Sequence, residues 1–194
     1  MLKSALTAAS YVVLLSTLLL PLSGCAPLVA AGIGTGVTIA NDRRPAAVVL
    51  YDQQIAHKIE QRIYEAFGEE VHVNVTAYNR VILLTGEISQ PSIREEITKM
   101  AEQTTDVKKV YNETVVAVPS SLGARATDTS LTTKAKAHLL NAEQVSSIHI
   151  KVVTERARVY LMGAVTHQEA EEAARLVSEI SGVTKVITLF EYID

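Results

Sequence analysis

The sequence predicts an α+β protein with two tandem αββαβ repeats behind an N-terminal signal peptide. Each repeat is predicted to be a three-stranded mixed sheet covered on one face by two helices. Three observations lead to this prediction. Blocks of sequence recur in the same order at a spacing of 76 or 77 residues, apolar residues follow helical and strand periods within each copy, and an apolar N-terminal run ends at a single cysteine. Repetition at a fixed period indicates a repeated structural unit.

Residues 1–24 are predicted to be a lipoprotein signal peptide. Lys3 precedes an apolar run that ends in Leu22-Ser23-Gly24-Cys25. An early positive charge followed by a short apolar core and small residues is typical of a secretory signal. The last four residues resemble a bacterial lipobox, which implies cleavage before Cys25 and its modification with diacylglycerol and an N-acyl chain. The alternative is an ordinary signal peptide that ends near a buried cysteine.

Composition excludes several classes of protein. With 21 acidic and 18 basic residues the net charge is −3. The chain therefore lacks the excess of positive charge that would indicate a nucleic-acid partner. Because Cys25 is the only cysteine, its acylation leaves no thiol for a disulfide, and the domains must be stabilised by packing alone. Apart from the acyl chains, no cofactor is expected.

Residues 25–50 are predicted to form a lipidated, apolar and glycine-rich linker close to the membrane. The apolar stretch of residues 26–40 contains three glycines, and it is too short and flexible to span a bilayer. Arg43 and Arg44 follow it, before Pro45. Two interpretations of this arginine pair remain open: contact with anionic headgroups, or a solvated run of charges.

The rest of the chain reads as repeat 1 (residues 51–119), a linker (residues 120–126) and repeat 2 (residues 127–194). Three blocks support this division because they recur in order with a single one-residue gap. The matching blocks are Val71–Val75 with Ile148–Val152, Ile82–Gly86 with Val159–Gly163, and Val107–Val110 with Val183–Val186.

Each repeat is predicted to open with a helix followed by a hairpin. Apolar residues recur at a spacing of four in both first helices, and Asp52 and Asp128 are placed as their N-caps. A strand with alternating apolar residues, a tight turn and a second strand follow. The second strands end in Gly86 and Gly163, where glycine permits a bend or a close approach of the backbone. The predicted core stripes of the first helices are Ile55, Ile59, Ile63 and Phe67, and Leu131, Ala135 and Leu139.

A second helix and a third strand complete each repeat. Residues 92–95 and 166–169 have the Ser/Thr-x-x-Glu pattern of a capping box. The third strands are predicted over residues 107–118 and 183–193. The inner faces of the second helices are predicted to consist of Ile93, Ile97, Met100 and Ala101, and of Ala170, Ala173, Ala174 and Val177.

These units resemble the BON domain. The resemblance lies in the α-β-β-α-β order, in the Val-x-Leu-x-Gly strand end at residues 159–163, and in the Gly-Val-x-x-Val strand start at residues 182–186. Repeat 1 departs from the second pattern, with Asp106 in place of the glycine. A lipobox with two such repeats is similar to the dual-BON outer-membrane lipoproteins, and residues 110–113 and 128–134 resemble that family specifically.

The resemblance implies a lipid-binding protein that supports envelope integrity and cell division. It implies binding to anionic phospholipids of the outer membrane through the first helix of repeat 2, with envelope or division proteins as further partners. Ala26 lacks the aspartate that is associated with inner-membrane retention, so we expect an inner-leaflet anchor that faces the periplasm. The alternative is a protein-interaction adaptor for an envelope or cell-wall assembly, which touches lipid only through its acyl anchor.

A helical wheel of the first helix of repeat 2 agrees with the lipid interpretation. Leu140 points away from the core stripe beside Lys136, while Lys134 flanks the stripe. A basic face with an outward leucine suits shallow insertion among anionic headgroups; the alternative is an ordinary solvated face. Members of the family that the chain resembles tend to carry a large aromatic residue where this chain has Ser130, so the resemblance implies a shallower and more electrostatic insertion here. The candidate lipid-binding residues are Ser130, Thr133, Lys134, Lys136, Ala137 and Leu140.

The sequence contains no catalytic motif, and we expect the protein not to be an enzyme. His-Glu-x-x-His, Gly-x-Ser-x-Gly and a phosphate-binding glycine loop are absent from it. His72 and His149 occupy equivalent repeat positions, which raises the possibility of a metal or pH-sensing role. Alternation along the strands directs both away from their own core, so we expect solvent-facing or interdomain histidines and no metal site.

Overall fold

The computed structural model describes residues 42–194, and in them two αββαβ repeats follow one another. The predicted α+β class and the two repeats are confirmed. The signal peptide, Cys25 and most of the linker lie outside the described residues. No helix within residues 42–194 is both long enough and apolar enough to cross a membrane.

The two repeats have the same order of elements. Repeat 1 comprises α1 (Ala46–Phe67), β1 (His72–Tyr78), β2 (Val81–Ile88), α2 (Pro91–Glu102), β3 (Lys109–Asn112) and β4 (Val115–Val116). Repeat 2 comprises α3 (Leu122–Leu140), β5 (Ile150–Glu155), β6 (Arg158–Val165), α4 (His167–Ser178) and β7 (Lys185–Tyr192).

Each sheet is mixed, with the second strand at its centre. β2 pairs antiparallel with β1 and parallel with β3 and β4, and β6 pairs antiparallel with β5 and parallel with β7. The third strand of repeat 1 is broken, although the sequence predicts a single strand there. The Asn112 carboxamide oxygen accepts hydrogen bonds from the Thr114 backbone and hydroxyl at 3.0 and 2.6 Å, and this local turn interrupts the ladder.

Asp52 and Asp128 are not N-caps, because both helices begin six residues before them. α1 starts at Ala46 and α3 at Leu122, where Ser121 provides the cap. Helix therefore occupies residues 46–50 and 122–126, at the ends of both segments that the sequence assigned to linkers. Each aspartate is instead buried within its helix.

The two buried aspartates link the helices to the hairpin turns by hydrogen bonds. The Asp52 carboxylate accepts hydrogen bonds from the backbone N–H groups of Asn79 and Arg80 at 2.7 and 2.8 Å. The Asp128 carboxylate accepts hydrogen bonds from those of Arg156 and Ala157 at 2.9 and 2.8 Å. All four turn residues have φ between 47° and 67°, a conformation that costs energy for non-glycine residues. The carboxylate bonds thus stabilise turns that the sequence alone does not favour.

The two predicted capping boxes have different outcomes. At the start of α4 the box is formed, because Thr166 accepts from the Glu169 backbone and the Glu169 side chain accepts from the Thr166 backbone. At the start of α2 the prediction is wrong. Pro91 is well suited to the first helical position, so Gln90 becomes the N-cap and Ser92 falls inside the first turn, with no side-chain cap.

Each repeat has its own apolar core between its helices and one sheet face. The predicted stripes are largely confirmed, with Phe67, Met100 and Ala174 only partly buried. Ile148 departs from the prediction because it lies in a 3₁₀ turn ahead of β5 and is 40% exposed. The buried residues that the helices contribute to the cores are Ile55, Ile59, Ile63, Ile93, Ile97 and Ala101 in repeat 1, and Leu131, Ala135, Leu139, Ala170, Ala173 and Val177 in repeat 2.

The opposite faces of the two sheets pack against each other. Tyr78 and Leu83 of repeat 1 form a buried cluster with Tyr160 and Met162 of repeat 2. We call this interface the seam. Hydrogen bonds cross it, including one from the Asn74 carboxamide to Glu155 at 2.9 Å and one from the Asn79 carboxamide to Glu191 at 2.6 Å. The sequence did not decide whether the repeats pack together; in the structure they do.

The segment before α1 also joins the two repeats. Arg43 forms a bidentate ion pair with Glu169 at 2.7 and 2.8 Å and donates a hydrogen bond to the Ala164 carbonyl. Arg44 lies over the Tyr78 ring at 3.8 Å and pairs with Asp52 at 2.7 Å. Both open interpretations of the arginine pair are therefore wrong, because the two side chains are engaged within the protein.

At acidic pH the Arg43–Glu169 ion pair is expected to lose its contribution to the free energy of unfolding. The pKa of Glu169 is lowered, first by the hydrogen bond from Arg43. A carboxylate whose folded pKa lies below its unfolded value of about 4.3 contributes stability that is complete above that value. This contribution is lost as the pH falls through the folded pKa.

Glu169→Gln can still cap α4 but lacks the charge, so we expect it to be less stable than the parent at pH 7. The difference should shrink as the pH falls below about 4.3, because the parent then loses the same charge. Urea unfolding at a series of pH values measures this, with Glu171→Gln, an exposed position on the same helix, as the control. A gap that stays constant down to pH 3 would show that the ion pair contributes nothing.

Candidate functional site

All six candidate residues of α3 lie on its solvent side. The buried stripe of this helix consists of Asp128, Leu131, Ala135 and Leu139, which leaves the remaining faces outward. Leu140 is 71% exposed although it is apolar. The other five, Ser130, Thr133, Lys134, Lys136 and Ala137, are exposed as well. The wheel thus placed these residues correctly, and they form one continuous helix surface near the C-terminal half of α3.

This surface carries the positive charges of Lys134 and Lys136. Asp128 is the only acidic residue in the sequence of α3, and it is buried against the hairpin turn. Within residues 42–194, no ion pair includes Lys134 or Lys136. Both ammonium groups are therefore available to an external anion.

The equivalent helix of repeat 1 differs at the same surface positions. By the 76-residue offset, Glu60 of α1 corresponds to Lys136 and Tyr64 to Leu140. Tyr64 is also outward, with 64% of its surface exposed. The core stripe is preserved between the copies, whereas the sign of the charge at this surface position is reversed.

Lys151 on β5 is a cationic neighbour of this surface that sequence reasoning missed. Its ammonium donates a hydrogen bond to the Ala77 carbonyl at 3.3 Å, beside a cleft of about 240 Å³ that is also lined by Arg44 of the segment before α1 and by His57 and Glu60 of α1. Although the residue as a whole is exposed, loss of water around the ammonium lowers the pKa of Lys151, and the charges of Arg44 and Lys136 add to this. Only the packing of one repeat on the other brings these groups together.

A second polar group lies in the seam, around the buried Glu87 side chain. The Glu87 carboxylate accepts a hydrogen bond from Arg156 at 3.1 Å, and its other oxygen lies 3.0 Å from His72 Nδ1. Burial opposes ionisation of Glu87, but hydrogen bonds from His72, the Ser120 backbone and Arg156 outweigh it and lower the pKa. The pKa of the nearby Glu155 is raised, first by burial and then by the charge of Glu87.

Both repeats match one known protein family. A sequence profile of the BON domain matches residues 52–118 and 127–194. The chain is 32% identical to "Outer membrane lipoprotein DolP" of Haemophilus influenzae over 175 residues, which covers 89% of this chain and 91% of that protein. The chain is therefore similar to an outer-membrane lipoprotein over nearly its whole length.

Two further relatives match most of the chain. The "21 kDa hemolysin" of Actinobacillus pleuropneumoniae is 29% identical, covering 79% of this chain and 80% of that protein. "Osmotically-inducible protein Y" of Escherichia coli is 31% identical, covering 70% of this chain and 69% of that protein. None of these three names denotes an enzyme.

Solved structures give a weaker likeness. The C-terminal domain of CdsD, a structural protein of the type III secretion system of Chlamydia trachomatis, aligns with 71% of this chain and 96% of its own length. The TM-score is 0.31 at 11% identity, which is too low to establish a common fold.

Proposed function

The chain belongs to the BON-domain family of outer-membrane lipoproteins, and from that membership we propose that it binds anionic phospholipid through the exposed surface of α3. In this proposal acylated Cys25 holds the protein on the inner leaflet of the outer membrane, and both repeats face the periplasm. Repeat 1 serves as the scaffold and repeat 2 contacts the lipid. The lipid contact supports envelope integrity and cell division.

The exposed basic surface of α3, whose two lysines form no ion pair within residues 42–194, is the observation that carries this proposal. A lysine near an anionic surface contributes about 1 kcal/mol, so Lys134 and Lys136 together supply roughly 2 kcal/mol. Leu140 adds apolar area next to these charges. Such a site is weak by itself, but the acyl anchor keeps it at the bilayer, where a modest affinity is sufficient.

The composition of the surface also predicts how binding depends on salt. Ser130, Thr133 and Ala137 are small, which leaves Leu140 as the large apolar side chain among the six candidates. Binding should therefore depend mainly on charge, and exposed charges are screened over about 10 Å at 0.1 M salt. We expect affinity for anionic vesicles to fall steeply with ionic strength, unlike that of a helix that inserts aromatic residues deeply.

Reversing both charges is expected to abolish lipid binding. Lys134→Glu with Lys136→Glu replaces attraction by repulsion, so we expect more than a tenfold loss in affinity, because each lysine alone contributes about 1 kcal/mol. The measurement is co-sedimentation of the non-acylated fragment 42–194 with vesicles that contain phosphatidylglycerol, compared with purely zwitterionic vesicles. NMR titration of the parent fragment with phosphatidylglycerol micelles should shift resonances only around residues 130–141.

The matched control reverses the same number of charges on repeat 1. Lys58 on α1 and Lys99 on α2 are both exposed, and Lys58→Glu with Lys99→Glu should leave most binding intact. Equal losses in the two double variants would point to net charge rather than to α3. If the α3 variant loses vesicle binding but retains envelope function in cells, the adaptor alternative is favoured, and protein partners become the object of the search.

A further inference from the structure

We propose that the seam contains a divalent metal site, with a zinc-type ligand set of His72, Glu87 and Glu155. His72 and Glu87 belong to repeat 1 and Glu155 to repeat 2, so the ion would bridge the two repeats. This proposal does not depend on lipid binding by α3. It also revises the expectation that neither repeated histidine is a metal ligand.

The three side chains converge closely enough for one ion. One potential ligand atom from each residue lies within 4.8 Å of those from the other two, and His72 Nδ1 is 3.0 Å from Glu87 Oε2. Ligands at about 2.0–2.1 Å around a tetrahedral zinc ion lie roughly 3.3 Å apart. The first pair thus already has nearly the required spacing, and the third ligand needs only a small side-chain adjustment.

The charge of the cluster favours a cation. The Glu87 side chain has no exposed surface and Glu155 is 7% exposed, so both carboxylates have lost most of their contact with bulk solvent. Arg156 pairs with Glu87 and compensates one charge. Buried carboxylates require pairing or a metal, and a divalent ion between Glu87 and Glu155 would supply it.

Neighbouring residues already orient the proposed ligands. Asn74 donates a hydrogen bond to Glu155 Oε2 at 2.9 Å, and Arg156 donates one to Glu87 Oε1 at 3.1 Å. An ion would bind the other oxygen of each carboxylate, and at Glu87 Oε2 it would replace the proton of the 3.0 Å hydrogen bond from His72 Nδ1. Outer hydrogen bonds of this kind are usual around metal-binding carboxylates. A polar cleft of about 350 Å³ borders His72 and Glu155, so an ion can enter and keep a water ligand.

Comparison of the two repeats singles out this side of the seam. By the 77-residue offset, His72, Glu87 and Glu155 correspond to His149, Ala164 and Tyr78. On that opposite side the Tyr78 hydroxyl donates to the His149 carbonyl at 3.3 Å and accepts from the Ala164 backbone at 3.0 Å. Hydrogen bonds cross the seam on both sides, but these equivalent positions bring an imidazole and two carboxylates around a common point only on the side of His72.

An imidazole with two carboxylates favours zinc over the alkaline-earth ions, which prefer ligand sets made only of oxygen. The test is isothermal titration of the full-length protein in detergent with ZnCl₂, using protein purified without a histidine tag. We expect one ion per chain, and at least tenfold weaker binding in both His72→Ala and Glu155→Gln. Glu155→Gln retains an amide that can pair with Asn74, and an unchanged thermal transition without zinc would show that it folds.

His57→Ala is the matched control, because His57 is exposed on α1 outside the cluster, and it should bind zinc like the parent. Zinc should raise the Tm of the parent and of this control but not that of His72→Ala. The proposal is overturned if the parent does not bind zinc up to about 100 µM. It is equally overturned if both cluster variants bind as tightly as the parent, or if MgCl₂ binds as well as ZnCl₂.

Discussion

Replacement of Gly86 by alanine is expected to lower the free energy of unfolding by about 3 kcal/mol or more. Gly86 lies in β2 at φ 109°, a conformation that residues with a side chain rarely adopt. An added Cβ would lie 1.9 Å from the His72 carbonyl oxygen on the paired strand. Because this neighbour is backbone, it cannot rotate away, and β1 and β2 would have to separate.

Two other glycines provide a graded comparison in chemical denaturation. At Gly163, the equivalent position of repeat 2, an added Cβ lies 2.5 Å from the His149 carbonyl oxygen without a positive φ, so alanine should cost roughly 1–3 kcal/mol. At Gly123 in α3 the nearest atom is 3.8 Å away, and alanine should be neutral or stabilising by up to about 1 kcal/mol. If the three variants lose equal stability, backbone crowding is not the cause.

Removal of the Asp52 carboxylate should have a comparable effect, about 3–5 kcal/mol for Asp52→Ala, because it breaks a buried ion pair. The substitution leaves the backbone N–H groups of Asn79 and Arg80 without their acceptor in a turn of unfavourable φ. It also removes one of the two carboxylate partners of the Arg44 guanidinium, which is 11% exposed and keeps its ion pair with Asp42. Thermal unfolding of the variant, with circular dichroism for helix content, measures the loss.

Asp128→Ala isolates the contribution of the turn. Asp128 holds its hairpin by the same two backbone bonds, but among the described ion pairs it has no arginine partner, so about 1–3 kcal/mol is expected. The excess loss in Asp52→Ala measures the Arg44 ion pair. If Asp128→Ala costs as much as Asp52→Ala, the Arg44 ion pair contributes nothing, and the hydrogen bonds from the carboxylate to the turn account for the loss in both variants.

The local parts of the fold followed from the sequence. Helix stripes such as Ile55–Ile59–Ile63, and the alternation in Val73 and Val75, depend on neighbours a few positions away, so periodicity identifies them. Helix starts were less predictable. Asp52 has the right residue type for a cap, and only the hairpin 27 residues later reveals that its carboxylate is needed elsewhere.

The candidate sites show the same division between local and long-range information. The exposed residues of α3 could be placed with a wheel because one helix contains them all. The cluster in the seam could not, since it joins His72 to Glu155 through the packing of two sheets, and alternation indicates only that His72 faces away from its own core. The position of Lys151 beside Arg44 depends on the same packing.

The face-to-face packing of the two sheets makes one chain resemble a dimer whose subunits cannot dissociate. Two separate subunits would lose translational and rotational freedom on association, at an estimated cost of about 4–15 kcal/mol, and their interface would need enough apolar area to offset it. Here the covalent connection through residues 117–121 avoids that loss. The interface can therefore include buried polar groups such as Glu87 and Glu155, which a separable dimer would tolerate less readily.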